Sequence, residues 1–143
     1  TNSNGLAWSG DNSTFFYIDT PSKKIRAFDY DVETGAIMNE RIAIDTEEIE
    51  GSPDGMSIDE NDNLWVVFCR GRAVRCFDPK TAEVLHQIDL PVTGPTSCAF
   101  GGENLEMLYI TTGRFPNVDE ELAGRLFVAQ PGVRGTASIP FAG

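Results

Sequence analysis

One pattern limits what this chain can fold into more than any other: four short strand-like segments recur in the same order, twice closely and a third time loosely. Residues 4–45 read NGLAWS, TFFYIDT, KIRAFDYD and AIMNERIAI, and residues 54–90 read DGMSID, NLWVVFC, AVRCFDP and VLHQIDL. The third copy runs SCAFGG, MLYITTG, GRLFVAQ and TASIPF, with an insertion, RFPNVDEELA, between its second and third segments. Asn4 and Asp54 lie 50 residues apart, and Asp54 and Ser97 lie 43 apart. The segments are rich in β-branched and aromatic residues, Gly, Pro, Asn and Asp punctuate them, and no amphipathic helical period interrupts them. Four-stranded units at a spacing of about 40–50 residues are the signature of a β-propeller, whose blades stack around a central channel.

The expected fold is therefore all-β, with three four-stranded propeller blades at about residues 4–45, 54–90 and 96–143. Propellers close with typically 4–8 blades, so three blades leave two faces open, each built to meet a neighbour. The remaining blades are expected from the same protein, from another chain or from a second copy.

Bulk properties narrow the function classes. A length of 143 residues with 41% apolar side chains suits one ordinary globular domain. With 22 acidic against 11 basic residues the net charge is −11, which disfavours nucleic acid or an anionic membrane surface as partner. No apolar run approaches 18 residues and no charged-then-apolar leader is present, so neither a membrane span nor a signal peptide is expected. Cys69, Cys76 and Cys98 are odd in number and lack the close paired spacing of a zinc site, which fits a reduced, cytoplasmic setting. A Cys69–Cys76 disulfide across the RGRA hairpin is the less favoured alternative.

Overlaying the copies puts Asn4, Asp54 and Ser97 in one slot, just ahead of the first strand of each blade. The innermost strand of a blade lines the channel, so polar side chains at equivalent positions converge on one axis. An amide oxygen and a carboxylate are hard donors suited to Ca²⁺, Mg²⁺ or Mn²⁺ and tolerable to Zn²⁺. The local sequence offers a second account, because Pro-Asp-Gly and Asn-Gly are strong turn formers. On the residues alone both roles stay open for Asn4 and Asp54. Ser97 reads as a rim hydroxyl, since no His or Lys can be placed beside it to activate a nucleophile. His86 falls on a fourth, outermost strand and reads as solvated. DENDNLWVVFCR starts like a helix-loop-helix calcium site but has Leu64 where that loop needs Gly and Arg70 where it needs Glu, which excludes the motif. Trp8, Trp65 and the nine phenylalanines read as inter-blade core.

Taken in order, SNGLAWS, YIDT, AFDYD, PDGMSID, LWV, FDP, LPV, TSCAFGG, LYITT and the closing PFAG resemble the carboxy-terminal half of the regucalcin, senescence marker protein and gluconolactonase family. The resemblance implies half of a six-bladed propeller with one divalent cation, Ca²⁺ or Zn²⁺ or else Mn²⁺ or Mg²⁺, in its channel. It implies metal-assisted hydrolysis of sugar lactones such as gluconolactone. The family's metal-binding Asn falls on Asn4 and its Asp on Asp54, which the family also offers as general base. The family's third ligand, a Glu near the start of the full-length protein, has no counterpart here, nor do its substrate-contacting Arg and Asn. The activity is accordingly expected only when all blades are present. The alternative is a non-catalytic calcium-binding or scaffold half-propeller, and some insect relatives resemble luciferin-regenerating enzymes, so the fold alone does not fix the substrate.

Overall fold

The computed structural model describes residues 1–137. They form eleven strands and one short 3₁₀ turn, Thr20–Ser22. The first blade is β1 (Ser3–Trp8), β2 (Thr14–Asp19), β3 (Lys24–Tyr30) and β4 (Ile37–Asp45); the second is β5 (Ser52–Ile58), β6 (Leu64–Cys69), β7 (Ala73–Phe77) and β8 (Val84–Asp89). In both, strands neighbour each other in chain order and pair antiparallel. The third contains β9 (Pro95–Gly101), β10 (Met107–Thr112) and β11 (Phe127–Ala129). The fold is thus all-β and made of propeller blades. No helix among the described residues is long and apolar enough to cross a membrane.

The third copy departs from the expected pattern. Its fourth segment, TASIPF, lies mostly outside the described residues. The chain leading into it does not pair with β11 but crosses to the second blade, where Gly135 bridges Asp59, Arg134 O accepts from Glu60 N and Thr136 N donates to Ile58 O. The insertion falls between β10 and β11 as expected. Glu120 anchors it by accepting hydrogen bonds from Thr93 N at 2.7 Å, Thr93 Oγ1 at 2.6 Å and the Arg72 guanidinium at 3.0 Å.

Two apolar clusters separate the three sheets. Ala7, Phe16, Ile18, Ile25, Ala27 and Ile44 of the first blade meet Met56, Leu64, Val66, Phe68 and Phe77 of the second. The opposite face of the second blade, through Trp65, Val67, Val74 and Cys76, meets Cys98, Leu108 and Ile110 of the third. The middle blade is therefore covered on both faces, and LWVVF, buried at every position, shows why its inner strands read as an unbroken apolar run. Among the described residues the outer blades are covered on one face only. On the first, Trp8, Phe15 and Phe28 form an aromatic patch with ring centroids 4.8 and 6.0 Å apart, and Leu6 and Trp8 are 50% and 37% exposed. Trp65 is core as expected, whereas Trp8 lies on this uncovered face. On the third blade the uncovered row is Ala99, Tyr109 and Val128.

Each inner strand carries the same irregularity. Between the pairs Ser3–Asp19 and Leu6–Tyr17, β1 advances one residue more than β2. Between Pro53–Phe68 and Met56–Val66, β5 does the same against β6, and between Pro95–Thr112 and Cys98–Ile110, β9 does so against β10. Such a one-residue bulge bends a strand and re-aims a side chain. Asn4-Gly5 and Asp54-Gly55 are the bulged pairs, so neither is a hairpin turn, and Gly5 and Gly55 do not have positive φ. The glycines are required for closeness instead. A Cβ on Gly5 would sit 2.7 Å from Met56 Cγ and 3.0 Å from Asp54 O; one on Gly55 would sit 2.6 Å from Ser97 Cβ and 2.7 Å from Ser97 Cα.

Gly55→Ala should therefore destabilise the protein by about 1–3 kcal/mol through overpacking between the second and third blades. Urea denaturation checks this, and a loss below about 0.5 kcal/mol would mean that the inner strands separate freely.

Candidate metal centre

The three bulges open on one end of the channel, where Ser3, Asn4, Gly5, Asp54, Gly55, Thr96 and Ser97 line a single open cleft of about 530 Å³. Two of the side chains expected to converge, Asn4 and Asp54, do so at equivalent bulge positions. They stand inside β1 and β5 rather than just ahead of them. Ser97 is one register step off. The last regular pair before each bulge is made by Ser3, Pro53 and Pro95, so the residue equivalent to Asn4 and Asp54 is Thr96, and Ser97 stands where the other blades have glycine.

The Asn4 side chain is oriented by Thr20, a residue that no motif singles out. Its Nδ2 donates to Thr20 Oγ1 at 2.8 Å, and Thr20 Oγ1 donates to Pro53 O at 2.8 Å. Thr20 sits in the 3₁₀ turn between β2 and β3 and so ties the Asn4 amide to the strand carrying Asp54. With its nitrogen fixed in this way, the amide presents Oδ1, which makes no hydrogen bond among the described residues.

Asp54 is half-buried and its carboxylate receives no hydrogen bond among the described residues. Burial alone pushes its pKa above the ordinary carboxylate range. Asp59, five residues on, shows how this chain treats an aspartate that is purely structural. It is 1% exposed and accepts from Asn61 N, Asn63 N and Asn63 Nδ2 in the β5–β6 turn and from Trp65 Nε1 at 3.0 Å. One carboxylate is saturated by the protein and the other is left open. A partly desolvated charge without protein partners is unfavourable, and sites that tolerate one are candidates for function.

The remaining candidates drop away. His86 is exposed on the outermost strand β8, where its ring stacks on Trp65. All three cysteines are free, and the register sets Cys76 opposite Trp65 and Cys69 opposite Ser52, which rules out the hairpin disulfide. Burial pushes the Cys76 and Cys98 thiols up to about 12, so they remain protonated and are poor nucleophiles or ligands. Among the described residues no three His, Cys, Asp or Glu side chains cluster as a metal site. The oxygen donors offered here, one amide and one carboxylate, fit a hard divalent cation but are fewer than such an ion requires.

The family described as SMP-30/gluconolactonase/LRE-like region matches residues 1–114. The chain belongs to this family. Regucalcin of Pongo abelii is 44% identical over 147 residues, and the putative sugar lactone lactonase YvrE of Bacillus subtilis is 38% identical over 146. Each alignment covers 99% of this chain but only 49% and 50% of the relative. The chain thus spans about half the length of the curated relatives it matches. Among solved structures, the calcium-binding protein regucalcin of Agrobacterium tumefaciens superposes with a TM-score of 0.86 at 23% identity, over 94% of this chain and 48% of that one. That likeness shows that the three sheets are blades of the six-bladed propeller type.

The contrast between the two aspartates is testable without any ligand. A carboxyl whose folded pKa is raised favours folding below its unfolded pKa, and that contribution disappears as pH rises through the folded value. At neutral pH charged Asp54 therefore works against the metal-free fold. Asp54→Asn should raise the thermal midpoint in chelator-treated protein at pH 7, and the gain should vanish toward pH 3, where both states of Asp54 are protonated. Asp59→Ala should instead cost about 2–3 kcal/mol by orphaning buried donors, Trp65 Nε1 among them. A destabilised Asp54→Asn at pH 7 would contradict the reading of Asp54 as unsupported by its surroundings.

Proposed function

We propose that residues 1–143 form half of one six-bladed domain, and that the complete ring is a metal-dependent hydrolase of sugar lactones in which this chain supplies Asn4 and Asp54 as ligands of a divalent cation. The observation that carries the proposal is the pair of unsatisfied oxygens, Asn4 Oδ1 and the Asp54 carboxylate, at equivalent bulges of neighbouring inner strands on one cleft. The lactonase name of one relative and the gluconolactonase in the family description support the reaction class. The calcium-binding description of the Agrobacterium regucalcin supports a divalent ion. The half-length match and the two uncovered sheet faces support further blades.

A cation bound at this cleft would polarise the lactone carbonyl and lower the pKa of a water beside it. The chain's own residues prepare for that chemistry. Thr20 holds the Asn4 amide nitrogen and leaves the oxygen without a protein partner among the described residues. Asp54 carries the negative charge that would attract the cation, and its carboxylate, free of protein hydrogen bonds among the described residues, is the group placed to take a proton from an attacking water. The bulges put both groups on rigid inner strands, where the separation between them is set by blade packing.

A non-catalytic calcium-binding or scaffold role is the second reading, favoured by the lack of any acidic ligand beyond Asp54 at the cleft among the described residues. Calorimetric titration of Ca²⁺, Mn²⁺ and Zn²⁺ into protein carrying all the blades should give one high-affinity site. Asp54→Asn should weaken it strongly and Asn4→Ala less, because a neutral amide attracts a dication less than a carboxylate does. The same Asp54→Asn protein should lose at least about 10²-fold in gluconolactone turnover. Equal metal affinities in wild type and Asp54→Asn would sink the ligand assignment, and metal binding without lactone hydrolysis would favour the scaffold role.

A further inference from the structure

The third inner strand repeats the bulge of the first two, yet neither its composition nor the ligand assignment above gives it a task. Its slot holds Thr96, on the same cleft as Asn4 and Asp54. Thr96 Oγ1 lies 2.8 Å from Thr111 Oγ1 on the neighbouring strand, and Thr111 Oγ1 donates to Ser97 O at 3.3 Å. Each hydroxyl has a single hydrogen. With the Thr111 hydrogen directed to the Ser97 carbonyl, the short contact is a hydrogen bond donated by Thr96. Both contacts can be hydrogen bonds at once only in this direction, in which the run Thr96 to Thr111 to Ser97 O uses both hydrogens and Thr96 Oγ1 offers the cleft its lone pairs. Thr96 is in this respect like Asn4, whose nitrogen is likewise spent on a neighbouring threonine. The cleft thus receives a carboxylate, an amide oxygen and the Thr96 hydroxyl oxygen on three successive blades, beside the hydroxyls of Ser3 and Ser97.

From this juxtaposition we infer that Thr96 is a substrate-positioning residue: its hydroxyl oxygen accepts a hydrogen bond from a hydroxyl group of the polyhydroxylated substrate held at the cation. The inference rests on the lactonase reading and deepens it. A neutral acceptor backed by a second strand suits this task better than it suits metal ligation. It adds no charge to attract a dication, whereas its geometry is fixed by the β9–β10 pairing and so can discriminate among sugar stereoisomers. Ser97, next in sequence, also lines the cleft but stands at the glycine position of the bulge, packed against Gly55, and its hydroxyl is without the Thr111 partner of Thr96.

The test uses metal-loaded protein with all blades present and two probes, gluconolactone turnover and calorimetric binding of D-gluconate. Thr96→Val keeps the shape of the side chain and deletes the hydroxyl. It should raise KM and weaken gluconate binding by about 3- to 10-fold, the usual range for one neutral hydrogen bond, while leaving Mn²⁺ affinity unchanged. Thr96→Ser should restore both. Thr111→Val removes the group that takes the Thr96 hydrogen, frees Thr96 to donate, and should shift the order of preference among aldonolactone stereoisomers; it serves as a second route should Thr96→Val fold poorly. Unchanged KM and gluconate affinity in Thr96→Val would overturn the assignment. A loss of Mn²⁺ affinity comparable to that of Asp54→Asn would overturn it too, making the hydroxyl a metal ligand. A wild type that binds metal but neither turns over lactones nor binds gluconate would fail the lactonase reading itself, and this inference with it.

Discussion

Neighbouring inner strands in this protein approach so closely at their bulges that no Cβ fits between them, and most of what matters about the molecule depends on that contact. Gly5 lies against Met56 and the Asp54 carbonyl, and Gly55 lies against Ser97. Close approach at these points brings successive inner strands together around the channel. The extra residue of the bulge then turns the preceding side chain toward the axis. Asn4 and Asp54 are thus delivered to the cleft by the same packing that holds the blades together, and the spacing of the candidate ligands is a property of the core.

Stability and readiness for a ligand pull in opposite directions within a single blade. Asp59 has four hydrogen-bond donors gathered on it, and its carboxylate locks the β5–β6 turn to the indole of Trp65. Asp54 has none among the described residues, and its partial burial raises the free energy of its charge. Natural proteins commonly accept such local destabilisation where a site must stay open to a ligand. The network around Asn4 follows the same logic on a smaller scale, since Thr20 satisfies the amide nitrogen and leaves the oxygen free.

The open faces extend the picture beyond this chain. The middle blade, covered on both sides, shows what a blade needs: a fully apolar sheet interior between two neighbours. The first blade has the same aromatic content on its far side, with Trp8, Phe15 and Phe28 gathered there and nothing among the described residues covering them. Its relatives are about twice as long. A ring that supplies the missing neighbours would also bring further side chains to the channel mouth, which this half provides with two oxygen donors suited to a cation.

Much of this was readable from the order of residues. The threefold run of strand segments fixed the all-β blade architecture, because period-2 strands between Gly, Pro, Asn and Asp turns leave few other ways to bury LWVVF and TFFYID. The convergence of Asn4 and Asp54 followed from the repeat, as did the exposed position of His86. Three things belonged to the tertiary structure. Local sequence could not tell a turn from a bulge, since Pro-Asp-Gly serves both, and the decision came from the strand pairs flanking it. The one-residue offset that puts Thr96 rather than Ser97 in the third slot is invisible in a divergent repeat, because only cross-strand register fixes which of two adjacent hydroxyl residues takes the bulge position of Asn4 and Asp54. The difference between Asp54 and Asp59 was the last. Both are aspartates in one blade, and their roles diverge only through what the folded chain places around each carboxylate, a set of distant backbone and side-chain donors that no linear pattern specifies.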